Sequence, residues 1–329
     1  MNQALLYLNY PEPLQAKIRN ACWEAGFELS EIHPDGLEQE DACIQALQKA
    51  EVAFLGVSVP ISALETAPHL KWVHFDWVGI EQVVSQTLFA RGVLVTNGRG
   101  RNSMCLAEHV IYFMMTLAYD TRAFFEAQSN HCWNVVHSRP YSSLYNNNLL
   151  LIGTGSISQE VAKRAKGFSM HVTGFARKHH PTLENFDETY AAEDKVHVED
   201  LLPKADFVAL TLPATPQNHH LVSSRFLATM KPSAYLINIS RGELVDEEAL
   251  AEALRNHKIA GAASDVFEKE PLPKESPLWN FPNMLITPHS TPQNPDKYLY
   301  LTQLIIENLG HYLHGEHLRN QQMASDVLG

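Results

Sequence analysis

The segment Gly153-Thr154-Gly155-Ser156-Ile157-Ser158 follows directly on the apolar run Leu149-Leu150-Leu151-Ile152. A strand that ends in glycines and re-enters as a helix aims free backbone amides at whatever lies above it. That geometry binds the pyrophosphate of a dinucleotide, so Gly153, Gly155, Ser156 and Ile157 are candidate cofactor contacts. Ile157, Val161, Ala165 and Phe168 then recur at helical spacing, one apolar stripe facing a sheet, and residues 171–175 supply the second strand of a βαβ unit. Ser158 stands where the usual fingerprint has its third glycine; serine is small enough to keep helix and strand close. By itself so short a pattern also fits an ordinary strand–turn–helix.

The second strand ends Phe175-Ala176-Arg177-Lys178. A cofactor without a 2′-phosphate is normally held there by an acidic side chain on its ribose. Here no carboxylate stands in the way of a phosphate, Arg177 offers a planar fork and Lys178 a point charge. Outside a dinucleotide site the pair is a solvated basic turn. Within one, it predicts NADP(H) in preference to NAD(H).

Three further stretches follow expected strand ends, the edge of an open α/β sheet at which ligands bind. They are Ile237-Asn238-Ile239-Ser240-Arg241-Gly242, Ser264-Asp265-Val266-Phe267-Glu268-Lys269-Glu270-Pro271 and Ile286-Thr287-Pro288-His289-Ser290. Together they offer an arginine, a carboxylate and a histidine, the set needed to reduce the keto group of a 2-oxo acid. Each alone has a plainer reading, as a surface ion-pair arginine, a solvated glutamate, or one of 17 histidines.

The elements that must position these groups alternate along the chain. Residues 5–8, 27–29, 52–55, 72–75 and 93–96 read as strands, with helices at 14–25 and 41–50, a small parallel α/β domain. Residues 103–119 read as a long helix, apolar on all sides and therefore buried between layers, domains or subunits, with Glu108 and His109 near its more polar edge. Residues 131–148 read as an irregular loop. Strands are expected at 207–210, 235–238, 260–263 and 284–286, with helices at 246–256 and 296–313. The expected architecture is α/β, a Rossmann-type dinucleotide-binding domain (102–290) inserted into a smaller flavodoxin-like substrate domain (1–101 and 291–329).

The formal net charge of −12 argues against a nucleic-acid or anionic-membrane partner. Cys22, Cys43, Cys105 and Cys132 show no CxxC and no metal-ligand spacing, so no metal is expected and the thiols read as reduced. Residues 1–10 look like a first strand rather than a secretory signal, and no run approaches the roughly 18 apolar residues that span a bilayer. The expected location is cytoplasmic.

Over nearly its whole length the chain resembles the D-isomer-specific 2-hydroxyacid dehydrogenases. The segments LLLIGTGSIS, LINISRGELVDEEALAEAL, DVFEKEPL and SPLWNFPNMLITPH are similar to the family's motifs, in its order and spacing. The resemblance implies that Arg241, Glu270 and His289 are catalytic: His289 the general acid, Glu270 its partner, Arg241 the holder of the substrate carboxylate. It further implies that Asp265 and Ile239 approach the nicotinamide carboxamide, that Leu212-Pro213 lines the phosphate and adenine side, and that Trp77, Val78 and Gly79 bind the substrate carboxylate. Core packing is the commoner fate of a tryptophan such as Trp77, and the neighbouring Gly79 tips the reading towards a site; Trp279 reads equally as core or as a pocket residue. The chain departs from the family pattern at Ser158, at Tyr145-Asn146-Asn147-Asn148, and at Ser290-Thr291-Pro292-Gln293, which lacks the usual glycine-containing run. Together with the basic turn after the second strand, the resemblance implies an NADPH-dependent reduction of glyoxylate or hydroxypyruvate to a D-2-hydroxy acid, by a homodimer. A phosphite-type dehydrogenase and a dinucleotide-sensing corepressor are the alternatives.

Overall fold

The computed structural model describes residues 2–34, 37–133, 135, 142–179, 183–291, 294 and 296–327. The chain divides into two compact units, Met1–Asn102 with Asn294–Gly329, and Ser103–Gln293.

The first unit opens β1 (Asn2–Tyr7), α1 (Glu12–Glu24), β2 (Phe27–Ile32), α2 (Leu37–Leu47), β3 (Ala50–Leu55), α3 (Ile61–Thr66), β4 (Trp72–Phe75), α4 (Gln86–Ala90), β5 (Leu94–Asn97). The chain then builds the second unit from α5 (Ser103–Ala118), α6 (Thr121–Ser129), β6 (Asn148–Ile152), α7 (Ser156–Gly167), β7 (His171–Ala176), β8 (Glu188–Ala191), β9 (Phe207–Leu210), α8 (Ser224–Thr229), β10 (Tyr235–Asn238), α9 (Glu247–Arg255), β11 (Gly261–Ser264) and β12 (Met284–Ile286). It returns to the first unit as α10 (Lys297–His314), β13 (Gln321–Gln322) and α11 (Ala324–Val327).

In the first unit the sheet runs β13-β5-β4-β3-β1-β2, parallel except for β13 against β5. The 2-1-3-4-5 order of its parallel strands is flavodoxin-like. In the second, all seven strands are parallel, ordered β12-β11-β10-β9-β6-β7-β8. Its order reverses at β6, and the crevice beside such a reversal is where doubly wound sheets bind ligands.

Strand residues alternate between two cores, as a pleat buried on both faces requires. Leu150, Ile152, Val208, Leu210 and Leu236 enter one core of the second unit, while Leu149, Leu151, Phe207, Ala209 and Ile237 enter the other. The first unit does the same with Leu5, Tyr7, Ala53 and Leu55 against Ala4, Leu6, Val52 and Phe54. Helix ends follow their own chemistry. Asp246 caps α9 by accepting the Ala249 amide at 3.0 Å, and Gly315 at φ +68° closes α10.

Several expectations need correcting. The helix expected at 41–50 is α2, which ends at Leu47, and Ala50 already belongs to β3. Expected loop residue Asn148 opens β6; residues 134 and 136–141 of that loop lie outside the described residues. The sequence pattern predicts no strand at β8, a polar edge strand. Within one chain Met104, Tyr112 and Met115 are exposed along α5.

Candidate active site

At the end of β6, Gly153 turns the chain at φ +107°, and a Cβ there would come 3.0 Å from Thr211. Its amide donates to the Phe175 carbonyl at 2.8 Å, tying the turn to β7. Gly155 is the N-cap of α7, whose first turn carries no acidic residue, and a Cβ on Gly155 would meet no atom within 4 Å. Ser158 is fully buried and uses its hydroxyl locally, donating to the Gly153 carbonyl at 2.8 Å and lying 2.6 Å from Thr211 Oγ1. Thr154 Oγ1, also buried, has no partner among the described residues. Arg177 and Lys178 follow β7 exposed, with no side-chain ion pair among the described residues. An open helix N-terminus, a glycine cradle, an orphaned hydroxyl and two exposed cations fit a dinucleotide phosphate chain.

Past β10, Asn238 folds the chain into a tight turn. Its side chain accepts the Ser240 amide at 3.0 Å and donates to the Arg241 carbonyl at 2.9 Å. Ser240 Oγ donates to the Leu212 carbonyl, which brings the 212–213 loop beside Ile239 and Arg241. Arg241 is exposed, with one N–H spent on the Ser240 carbonyl at 2.7 Å. Gly242 is obligatory for close approach, since a Cβ would lie 1.9 Å from the Phe267 carbonyl carbon. The arginine turn is thus pressed onto the backbone that leads to Glu270.

Glu270 and His289 meet directly. Glu270 Oε2 lies 2.7 Å from His289 Nδ1, and Oε1 accepts the Phe267 amide at 2.9 Å. Burial alone would raise the Glu270 pKa, but the imidazole and the Phe267 amide outweigh it and hold the carboxyl below its usual range. With Nδ1 so engaged, Nε2 has no hydrogen-bond partner among the described residues, and the side chain is 58% exposed, open to a reactant. Among the described residues no bond joins Arg241 to either; the three come from the ends of neighbouring strands β10, β11 and β12.

His289 sits at φ +48°, a left-handed backbone that a non-glycine residue adopts only when its surroundings enforce it. Asp265 does much of the enforcing. Its carbonyl accepts the His289 amide at 2.8 Å. Its carboxylate accepts the Thr287 hydroxyl (2.5 Å), the Ser290 amide (2.9 Å), the Thr291 amide (3.2 Å) and the Thr291 hydroxyl (2.7 Å). Burial raises its pKa and these donors more than offset that, holding it below the usual range. An ionised carboxylate has about four lone-pair directions, and all are used inside the loop.

The first unit carries a different loop after β4. The carbonyls of Asp76, Trp77 and Val78 accept from Arg101 Nη1 (2.6 Å), the Gly98 amide (3.1 Å) and Asn97 Nδ2 (2.9 Å). Val78 and Gly79 are exposed, and their amides have no acceptor among the described residues. Trp77 is half-buried edge-on against Phe75, with centroids 5.2 Å apart.

Comparison with known proteins decides the family. Residues 111–291 match the family described as D-isomer specific 2-hydroxyacid dehydrogenase, NAD binding domain. The chain belongs to that family. It is 30% identical over 310 residues to a glyoxylate reductase of Korarchaeum cryptofilum, covering 92% of each chain. It is 31% identical over 297 residues to a D-3-phosphoglycerate dehydrogenase of Methanocaldococcus jannaschii, covering 89% of this chain but 55% of that one, so it spans about half the length of that relative. A solved D-isomer specific 2-hydroxyacid dehydrogenase family protein of Aeromonas salmonicida superposes with a TM-score of 0.73 at 30% identity, over 98% of this chain and 99% of that one.

As a member of the 2-hydroxyacid dehydrogenases, the chain is a nicotinamide-dependent oxidoreductase with the family's two-domain α/β fold. No helix among the described residues is long and apolar enough to cross a membrane. Trp279 is half-exposed rather than core, its indole donating to the Pro273 carbonyl at 2.9 Å. His109 is not on a polar edge of α5. It is buried, with Nε2 at 3.2 Å from Thr287 Oγ1 and 3.9 Å from Asp265 Oδ1, whereas Glu108 is exposed and pairs with Arg164. Sequence reasoning gives His109 and Thr287 no role; the only signal is a polar pair interrupting an apolar helix. Pro292, Gln293 and His180 lie outside the described residues. His219, His220 and Glu268 place ligand atoms within 4.8 Å of one another. The two rings are stacked at 26°, and His220 Nε2 is hydrogen-bonded to Glu268.

Proposed function

We propose that this enzyme reduces short 2-oxo acids, glyoxylate or hydroxypyruvate, to D-2-hydroxy acids with NADPH. The observation that carries the reading is the Glu270–His289 pair at 2.7 Å, made through Nδ1 of an imidazole that is 58% exposed. Gly153, Gly155, Ser156 and Ile157 would hold the pyrophosphate, Arg177 and Lys178 the 2′-phosphate, and Leu212, Pro213, Ile239 and Asp265 would line the rest. When bound, the nicotinamide supplies the hydride. His289 delivers a proton from Nε2 to the carbonyl oxygen as that oxygen gains charge, so the C=O becomes CH–OH. Glu270 fixes the ring's orientation through Nδ1. Arg241, with about four N–H donors still unspent, grips the substrate carboxylate and polarises the carbonyl.

Asp265 has a second part in this reading, as the residue that folds the 287–291 turn. In the first unit, assigned as the substrate domain, the free amides of Val78 and Gly79 suit a carboxylate, since the carbonyls beside them are already tied back. A homodimer is supported by the apolar row Met104, Tyr112, Met115 and Tyr119, exposed at helical spacing along and just beyond α5.

NADPH and NADH consumption against a panel of 2-oxo acids tests the proposal. Turnover of glyoxylate or hydroxypyruvate, faster with NADPH, is expected. Tight NADPH binding without turnover of any 2-oxo acid would contradict it and favour a sensor.

A further inference from the structure

The buried histidine on α5 touches no group assigned to substrate or cofactor phosphate, yet it ends on the loop that carries the proposed acid. Resting on the reductase reading, we propose that His109 is a positioning residue for His289, acting through Thr287 and Asp265.

The hydrogen-bond directions leave little freedom. Asp265, ionised, can only accept, so the Thr287 hydroxyl must give its proton to Oδ1 at 2.5 Å. Thr287 Oγ1 then has only lone pairs to offer, and His109 Nε2 at 3.2 Å must be the donor. Burial pushes the His109 pKa down against the opposing pull of Asp265, consistent with a neutral ring carrying its proton on Nε2. Phe113 packs edge-on against that ring with centroids 4.3 Å apart, and Tyr112 lies at 5.6 Å, so the ring is held from its sides. The result is one directed chain: His109 N–H to Thr287 O–H to the Asp265 carboxylate.

The same carboxylate receives Ser290 and Thr291, and the Asp265 carbonyl receives the His289 amide. Between these anchors lies the φ +48° of His289 itself. An undirected Thr287 hydroxyl could rotate away from Asp265, freeing one anchor of a turn whose backbone is intrinsically unfavourable. His109 removes that choice. It also ties the turn to α5, a long helix packed on the sheet, rather than leaving it to loop residues alone.

The test compares His109→Leu, which removes the donor, with His109→Gln, whose amide Nε2 can replace it, and with Thr287→Val, which removes the relay. Expected for Leu and Val is a fall in kcat of about tenfold, the scale of one lost hydrogen bond, with NADPH affinity within about twofold of the parent. Gln is expected to recover most of kcat, and the Leu/Val double variant to be no worse than either single one. Amide hydrogen exchange at His289, Ser290 and Thr291 is read in the same proteins, with acceleration expected in Leu and Val but not in Gln. Unchanged exchange in the Leu and Val variants, strictly additive losses, or a Gln variant as impaired as Leu would overturn the proposal. Because exchange needs no substrate, it decides the positioning role even if no 2-oxo acid is turned over, an outcome that would sink the catalytic reading alone.

Discussion

The proposed preference for NADPH rests on Arg177 and Lys178, two exposed side chains at the end of β7 with no ion pair among the described residues to hold them elsewhere. Replacing both with alanine should weaken NADPH binding by about tenfold or more while leaving NADH nearly unchanged, since only NADPH has the 2′-phosphate they would contact. Fluorescence titration with each cofactor measures this; equal losses would reassign the pair to a solvated turn. The place of the pair just past a strand end was legible from the strand before it. Ser158 was legible only in part. Its small size was foreseeable, but not that its hydroxyl would bond Gly153 and Thr211, partners fixed by the fold. His109 was not legible at all, because nothing in sequence ties a helix residue to a turn 178 positions later.

Elements were read from periodicity, and their success follows how strongly each is buried. β4, β9, β10 and β12 fall where their apolar runs predict, runs too short for a helix and bounded by turn residues. β8, with Glu188 and Thr189 exposed at the sheet edge, has no such signature. The 16 residues of α5 were recognised as a helix, but its apolar surplus does not say which face is covered within one chain. The turn joining β10 to α9 depends on one atom's absence. Gly242→Ala should cost about 1–3 kcal/mol by overpacking against Phe267 and should depress kcat by displacing Arg241. Denaturant midpoints and steady-state rates read the two effects; a variant as stable and active as the parent would show that the backbone there yields freely.

At the scale of the whole molecule, the first unit buries a titratable pair that its stability should report. Burial lifts the Asp76 carboxyl to about 7 and pushes the His74 imidazole down to about 3, with the groups 3.7 Å apart and the Tyr10 hydroxyl donating to Asp76 at 2.7 Å. Between about pH 4 and 6.5 the unfolded pair holds one proton, on histidine, and the folded pair also holds one, on aspartate. Their contributions to the pH dependence therefore cancel across that window. Asp76→Asn leaves a folded state that binds fewer protons than the unfolded one, so its stability should rise with pH from about 4 to 6.5. His74→Gln leaves the opposite imbalance, and its stability should fall from about pH 4 to 7. Denaturation midpoints at several pH values check both slopes; two flat profiles would show that the pair is solvated.

The reductase assignment turns on where the proton comes from. The direct measurement is NADPH oxidation by His289→Ala with glyoxylate or hydroxypyruvate, beside a titration of NADPH binding to the same variant. The expected result is a loss of turnover of about a hundredfold or more with cofactor affinity nearly intact. Turnover equal to the parent's would mean that another group supplies the proton, and the assignment of the Glu270–His289 pair would fall.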